Sequence, residues 1–180
     1  MKNLISGAVR SFSFRTSVHK MTKVPSAFLE ISNGSQKTRL DIKLFEDVNP
    51  EAVQNFLALC GQNNLTFRNK KFVNGMPGVF LETEEIKETI FGPSGYLDES
   101  YLFDLSVPGL VALSKGPNDQ DNGTSQSGFI ITFAELPDVG NHVVVGQVIN
   151  GLDELKKMSF QSSPPQITNC GQGKDISLTH

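Results

Sequence analysis

The chain has 180 residues, 38% of them apolar, with 13 Phe and no Trp: enough for one domain with a full core and too few for two. Four of its 16 basic residues (Lys2, Arg10, Arg15, Lys20) lie in residues 1–20, which hold no acid, so residues 21–180 carry 12 basic against 19 acidic side chains, a net of −7. That acidity argues against nonspecific nucleic-acid binding, which draws its affinity from phosphate neutralisation, and no apolar run nears the ~20 residues of a membrane span.

Residues 1–20 are basic and Ser-rich, and on a helix Leu4, Ile5, Ala8, Val9 and Phe12 fall on one side. This is the profile of a mitochondrial targeting peptide, and Arg10-Ser11-Phe12-Ser13 resembles a matrix-protease cleavage context. The alternative is a disordered basic tail before an internal start at Met21, with a cytoplasmic protein. Residues 21–26 read as a linker, 27–172 as the folded domain and 173–180 as a C-terminal tail. Nothing points to secretion, so the sequons at Asn33, Asn64 and Asn122 are attributed to chance.

Two strands come first, at 28–31 and 39–45. In the second, Leu40, Ile42 and Leu44 alternate with Arg39, Asp41 and Lys43, as in a half-buried strand. Asn33-Gly34 between them suits a hairpin turn. Asn49-Pro50-Glu51 opens a helix, with Asn49 as cap and Pro50 at the first helical position. Val53, Phe56, Leu57 and Cys60 mark its buried face, and Gly61 ends it.

From Phe67 onward strands alternate with turns. Apolar runs within 67–81 and at 109–114, 129–133, 143–149 and 166–170 read as strands, and Leu152, Leu155 and Met158 space out a second, short helix. Many short strands with two helices predict a mainly β fold: a closed antiparallel barrel with helices covering its ends. Cys60 and Cys170 both sit in apolar patterns and read as reduced core residues. No metal is expected. Asp119-x-Asp121-x-Gly123 hints at a calcium loop, but Ile130 occupies the position of the closing Glu.

Several blocks, in order, resemble the cyclophilins, the peptidyl-prolyl cis-trans isomerases. They are 39–45 running into Asn49-Pro-Glu-Ala-Val-Gln-Asn-Phe56, Phe72 with Met76-Pro77-Gly78, Pro108-Gly109-Leu110, Gly116-Pro117-Asn118, Phe129-Ile-Ile-Thr132, His142-Val-Val-Val-Gly146 and Asn169-Cys-Gly-Gln172. The resemblance implies a closed eight-stranded antiparallel β-barrel capped by two α-helices. It implies no cofactor, and a protein or proline-containing peptide as partner.

The reaction it implies is rotation about the X–Pro bond, which amide resonance opposes with a barrier of ~18–20 kcal/mol. Catalysis needs no nucleophile. It needs an apolar pocket for the proline ring and a donor to the imide nitrogen, so that the twisted bond is held better than the planar one. In cyclophilins a guanidinium is the main donor.

By resemblance Phe72 falls on the family's Phe, Val73 on its His and Asn74 on its catalytic Arg. Asn74 is neutral, shorter and can donate only through its amide; it also reads simply as a turn residue before Gly75. Arg68, four residues before Phe72, matches a different family position and does not replace the Arg. Val79 and Phe80 fall on a large aromatic and a Met of the substrate groove, and Glu82 on a Gln that binds substrate backbone. Thr83 and Glu84 fall on a Gly-Gly pair, and Glu82, Glu84, Glu85 and Glu88 make an acidic rim, either a solvated face or a contact for a basic partner. Ser114 and Lys115 fall on the groove's Ala-Asn. Gly128 falls on a Gln, Phe129 on a Phe, Ile130 on a pocket Phe, Val139 on part of a Trp-Leu segment, and His142 on a groove His.

Two functions follow. One is a catalytically degenerate cyclophilin-like module that serves as a protein-binding or structural subunit of a mitochondrial assembly. The other is a weak prolyl isomerase that assists folding.

Overall fold

A computed structural model gives the architecture and describes residues 22–61, 66–86, 105–115, 125–136 and 142–178. The predicted targeting segment, the Asp119–Gly123 stretch, Glu88 and Val139 lie outside the described residues.

In chain order the elements are β1 (Thr22–Val24), β2 (Ser26–Ser32), β3 (Lys37–Leu44), α1 (Pro50–Cys60), β4 (Phe72–Met76), β5 (Phe80–Thr83), β6 (Leu110–Lys115), β7 (Ser125–Thr132), β8 (Val143–Asn150), α2 (Leu152–Met158), β9 (Gln166–Gln172) and β10 (Ile176–Leu178). Eight strands form one antiparallel sheet in the order β4-β5-β7-β6-β8-β3-β2-β9. The sheet curls until its edges meet. Lys71 and Gln166 form an antiparallel bridge, flanked by Asn69 N–H donating to Ile167 O at 2.7 Å, Ile167 N–H to Lys70 O at 2.9 Å and Phe72 N–H to Pro165 O at 2.9 Å. The fold is the predicted eight-stranded barrel with two helices.

The residues read as linker and tail contain the strands β1 and β10, which pair as a separate two-stranded sheet, Thr22↔Leu178 to Val24↔Ile176. Three-residue strands carry too little alternation to be seen in a sequence. Between β2 and β3 the chain turns over residues 33–36. Gly34 takes a left-handed φ of 94°, and Asn33 Oδ1 accepts from Gln36 N–H at 2.9 Å, as a short polar side chain does in such turns.

Helix α1 begins as its sequence dictates. Asn49 Oδ1 accepts from Ala52 N–H at 3.0 Å, and Pro50 fills the first position. Its buried stripe is Ala52, Val53, Phe56, Leu59 and Cys60, with Leu57 only half-buried. The buried face, which also includes Asn55, is thus rotated towards Leu59 from the face expected.

The strands alternate, and the inward set fills the barrel. Phe129 is fully buried and lies at its centre. Its ring meets Phe56 of α1 at 5.4 Å, Phe67 at 4.7 Å and Phe72 of β4 at 6.1 Å, each nearly edge-to-face. Edge-to-face geometry adds about 0.5–1.5 kcal/mol per pair beyond burial.

Truncating such a residue removes transfer energy and leaves a cavity. Phe129→Ala is expected to cost about 3–5 kcal/mol in urea unfolding, at unchanged α1 content in the folded baseline.

Candidate functional site

The turn between β4 and β5 fixes the site's geometry. Val79 N–H donates to Met76 O at 2.9 Å and Gly78 N–H to Ser159 Oγ at 3.1 Å. Gly78 has a φ of 76°, and a Cβ there would come within 2.8 Å of the Phe160 ring. The left-handed conformation favours glycine, whereas the Phe160 ring, exposed at 66%, can shift to admit a Cβ. Gly75 has a φ of 154° and lies so close to Phe80 that a Cβ would meet its carbonyl oxygen at 2.6 Å.

The registers line up one cross-strand row: Asn74↔Glu82↔Ile130↔Ala112↔Val144. The next row, Gly75↔Leu81↔Ile131↔Val111↔Gly146, points into the barrel. Since side chains alternate across a sheet, the first row lies on the outer face. There Ala112, Ile130 and Val144 are buried with Leu105, Leu110 and Leu136 in a second apolar cluster, and Phe45, Val79 and Phe80 border it half-buried.

The structure thus brings Asn74, Glu82, Val79, Phe80 and Ile130 together on one outer face. Phe72 (3% exposed) and Phe129 (0%) are not on that face. They point the other way, into the aromatic core, and support the face from beneath. Ser114 and Lys115 end β6, where the neighbouring Leu113 pairs with Val143, and His142 immediately precedes that residue, so these positions converge at one end of the sheet. His142 is half-buried.

Asn74 is exposed, and its amide Nδ2 donates to Glu82 Oε2 at 3.4 Å. Arg68 is committed elsewhere: its Nη2 donates to Asn169 Oδ1 on β9 at 2.6 Å. Thr83 is buried and serves the fold, its Oγ1 accepting from Phe129 N–H at 3.1 Å. Of the rim acids, Glu84 Oε2 accepts from Lys71 N–H at 3.1 Å, and Glu85 is exposed. Among the described residues no cluster of three or more His, Cys, Asp or Glu could hold a metal ion, and no helix is long and apolar enough to cross a membrane.

Two features escaped the sequence reading. Leu105 and Leu136 bridge to each other and belong to the outer cluster; Leu105 stands between Asp104 and Ser106 and Leu136 between Glu135 and Pro137, so neither sets up a readable period. A cleft of about 170 Å³ also opens beside β4, between Val73 to Gly75 and the segment after α2, with Pro164 and Pro165 on its far wall. It joins segments 90 residues apart, which no local pattern announces.

The model of the cyclophilin-type peptidyl-prolyl cis-trans isomerase/CLD family matches residues 28–171. The E3 SUMO-protein ligase RanBP2 of Pan troglodytes is 31% identical over 166 residues, covering 82% of this chain and 5% of that protein. The Homo sapiens protein of the same name is 28% identical over 165 residues, with the same coverage. The chain therefore spans about one-twentieth of the length of these relatives. Among solved structures, the crystal structure of the Mimivirus cyclophilin superposes with a TM-score of 0.72 at 26% identity, covering 86% of this chain and 91% of that one. The chain belongs to the cyclophilin family.

Gly128 falls, by resemblance, on one of the groove positions. A Cβ there would meet Glu85 Cα at 3.5 Å and Thr83 O at 3.7 Å, ordinary contacts, so the backbone does not require glycine. Gly128→Ala is expected to leave the fold intact and to stabilise it by about 0.4–1 kcal/mol through the unfolded chain, read by denaturant midpoint.

Proposed function

We propose that this cyclophilin-family chain acts as a catalytically degenerate module, a protein-binding or structural subunit of a mitochondrial assembly, and not as an efficient prolyl isomerase. One observation carries the reading. Asn74 stands where the family's catalytic Arg is expected by resemblance, and its amide is already turned towards the Glu82 carboxylate. A neutral, engaged amide is a poor donor to an imide nitrogen, and a carboxylate beside it repels the carbonyl oxygens that flank a proline.

The neighbouring positions support the same reading. Ile130 is 3% exposed within the buried cluster that also holds Leu136, so it offers little wall to an incoming ring. The acidic balance of residues 21–180 and the exposed Glu85 favour a partner with a basic surface, since opposite fields speed and orient docking. The weak-isomerase alternative draws on Val79 and Phe80, which stay half-exposed at the edge of the apolar cluster.

Losing a donor that acts in the transition state removes about 10²–10³ in rate. Cis–trans exchange of a test prolyl peptide is expected to run near its uncatalysed rate. Val73→His with Asn74→Arg is expected to restore less than about a tenth of the lost rate enhancement, because Glu82 remains to hold the new guanidinium and the pocket is unrepaired. Family-level turnover by the unmodified chain would overturn the reading; strong rescue by the pair would show an intact pocket.

Mitochondrial import rests on residues 1–20, basic, Ser-rich and free of acid. Fused to a fluorescent reporter, these residues are expected to carry it into mitochondria, and a cytosolic reporter would overturn the assignment.

A further inference from the structure

Asn-Gly dipeptides begin at Asn33, Asn74, Asn122 and Asn150. Asn122 lies outside the described residues. Asparagine before glycine is chemically labile, because glycine has no Cβ to shield its peptide nitrogen from the preceding side-chain carbonyl carbon. Ring closure between the two needs a loosely held side chain and a backbone that can leave its strand or turn. Asn33 is 8% exposed and held at both side-chain polar atoms. Its Oδ1 accepts from Gln36 N–H at 2.9 Å and from Ser35 Oγ at 3.3 Å, and its Nδ2 donates to Gln161 Oε1. Gly34 N–H is engaged too, donating to Ser32 Oγ at 3.1 Å. Asn150 is exposed, but its Nδ2 donates to Asp41 Oδ2 at 3.1 Å, and Asp41 is paired with Arg39 at 2.9 Å. It ends β8, which runs between β6 and β3 inside the sheet. Gly151 after it packs so closely on β3 that a Cβ would come within 2.2 Å of Arg39 O.

Asn74 is held far less. It and its neighbours Val73, Gly75 and Met76 are all exposed. Its Nδ2 reaches Glu82 Oε2 at 3.4 Å, and its Oδ1 accepts no hydrogen bond among the described residues. β4 is an edge strand, paired with β5 alone. On its other side the contact with the start of β9 stops at Phe72, whose N–H donates to Pro165 O. From Val73 to Gly75 that side faces the cleft walled by Pro164 and Pro165. The ladder to β5 is itself interrupted, by a register shift between Phe72 and Asn74. A bulged edge segment opens at a lower cost than a strand inside the sheet. The fold also fixes the residue after Asn74, since a Cβ on Gly75 would meet Phe80 O at 2.6 Å. The unshielded peptide nitrogen is thus a requirement of the turn.

We propose that Asn74 is a site of spontaneous deamidation in the folded protein, where Asn33 and Asn150 are protected. The Gly75 peptide nitrogen gives its proton to solvent and attacks Asn74 Cγ. The bond from Cγ to Nδ2 breaks, and Nδ2 leaves as ammonia with a proton taken back from solvent. The product is a succinimide. Water then opens the ring at Cγ to give aspartate, or at the backbone carbonyl carbon to give isoaspartate. In sum one water is consumed and one ammonia released. Either product sets a second carboxylate beside Glu82. Isoaspartate also adds a backbone atom to β4, which breaks the Gly75↔Leu81 register. With age the chain thus exchanges the amide of its outer row for an anion, whether or not that row catalyses anything.

The test incubates the full chain at neutral pH, folded and in urea, and maps its peptides by mass over time, with isoaspartate read by an isoaspartyl methyltransferase. In the folded chain the Asn74 peptide is expected to gain about one mass unit at least about tenfold faster than the Asn33 and Asn150 peptides. In urea the three are expected to react at similar rates, so that unfolding accelerates Asn33 and Asn150 far more than Asn74. This comparison needs no variant to fold. Asn74→Gln, whose ring would need one more carbon, is expected to remove the gain at its own peptide and leave the other two unchanged. Asn33 or Asn150 converting as fast as Asn74 in the folded chain would overturn the proposal. So would an Asn74 that unfolding accelerates as much as it does Asn33, or one that stays intact in the folded chain while the unfolded chain converts.

Discussion

The ring of Phe129 joins what the rest of the molecule depends on. It comes from β7, in the middle of the sheet, and touches a helix residue (Phe56), a loop residue (Phe67) and an edge-strand residue (Phe72). With its backbone N–H held by Thr83 Oγ1, this one residue couples α1, β4, β5 and β7. A chain that keeps this packing can change the opposite face of the same strands at small energetic cost, because side chains alternate across a sheet.

That separation lets the family fold be kept while the outward positions vary. The inward row through Leu81, Ile131 and Val111 is apolar and buried, as a barrel interior must be. One residue along each strand, the outward row runs through Asn74, Glu82 and Ile130. Here a polar pair, engaged with each other at 3.4 Å, lies beside an apolar cluster that includes Leu105 and Leu136. The turn glycines Gly75 and Gly78 serve both faces, since they let β4 and β5 approach whatever chemistry their outward side chains carry. Shape belongs to the inner row and the turn; the outer row carries Asn74, an amide, at the position that by resemblance falls on the family's catalytic Arg.

Much of this was legible in the sequence, and the limits have physical causes. The strand alternation at Leu40, Ile42 and Leu44, the Asn49-Pro50 helix start and the family blocks led to the eight-stranded barrel. The positions Asn74, Val79, Phe80, Glu82 and Ile130, assigned to one groove by resemblance, lie on one face of the sheet. Phe72 and Phe129 were grouped with them, but resemblance reports neighbourhood along a strand and not which side a chain of alternating residues turns outward. The strands β1 and β10 are too short for a periodic signal. Cys60 and Cys170, which sit in apolar patterns, are both buried free thiols of the core, as expected.

The central claim is that the outer row no longer stabilises a twisted prolyl bond, whatever it still binds. Exchange NMR on a proline-containing peptide, at protein concentrations high enough to populate a bound state, separates binding from catalysis. The account predicts that cis and trans resonances stay in slow exchange, on the uncatalysed scale of tens of seconds or more, even where peptide shifts show binding. Coalescing cis and trans lines, showing exchange faster by about 10⁴-fold or more, would contradict it.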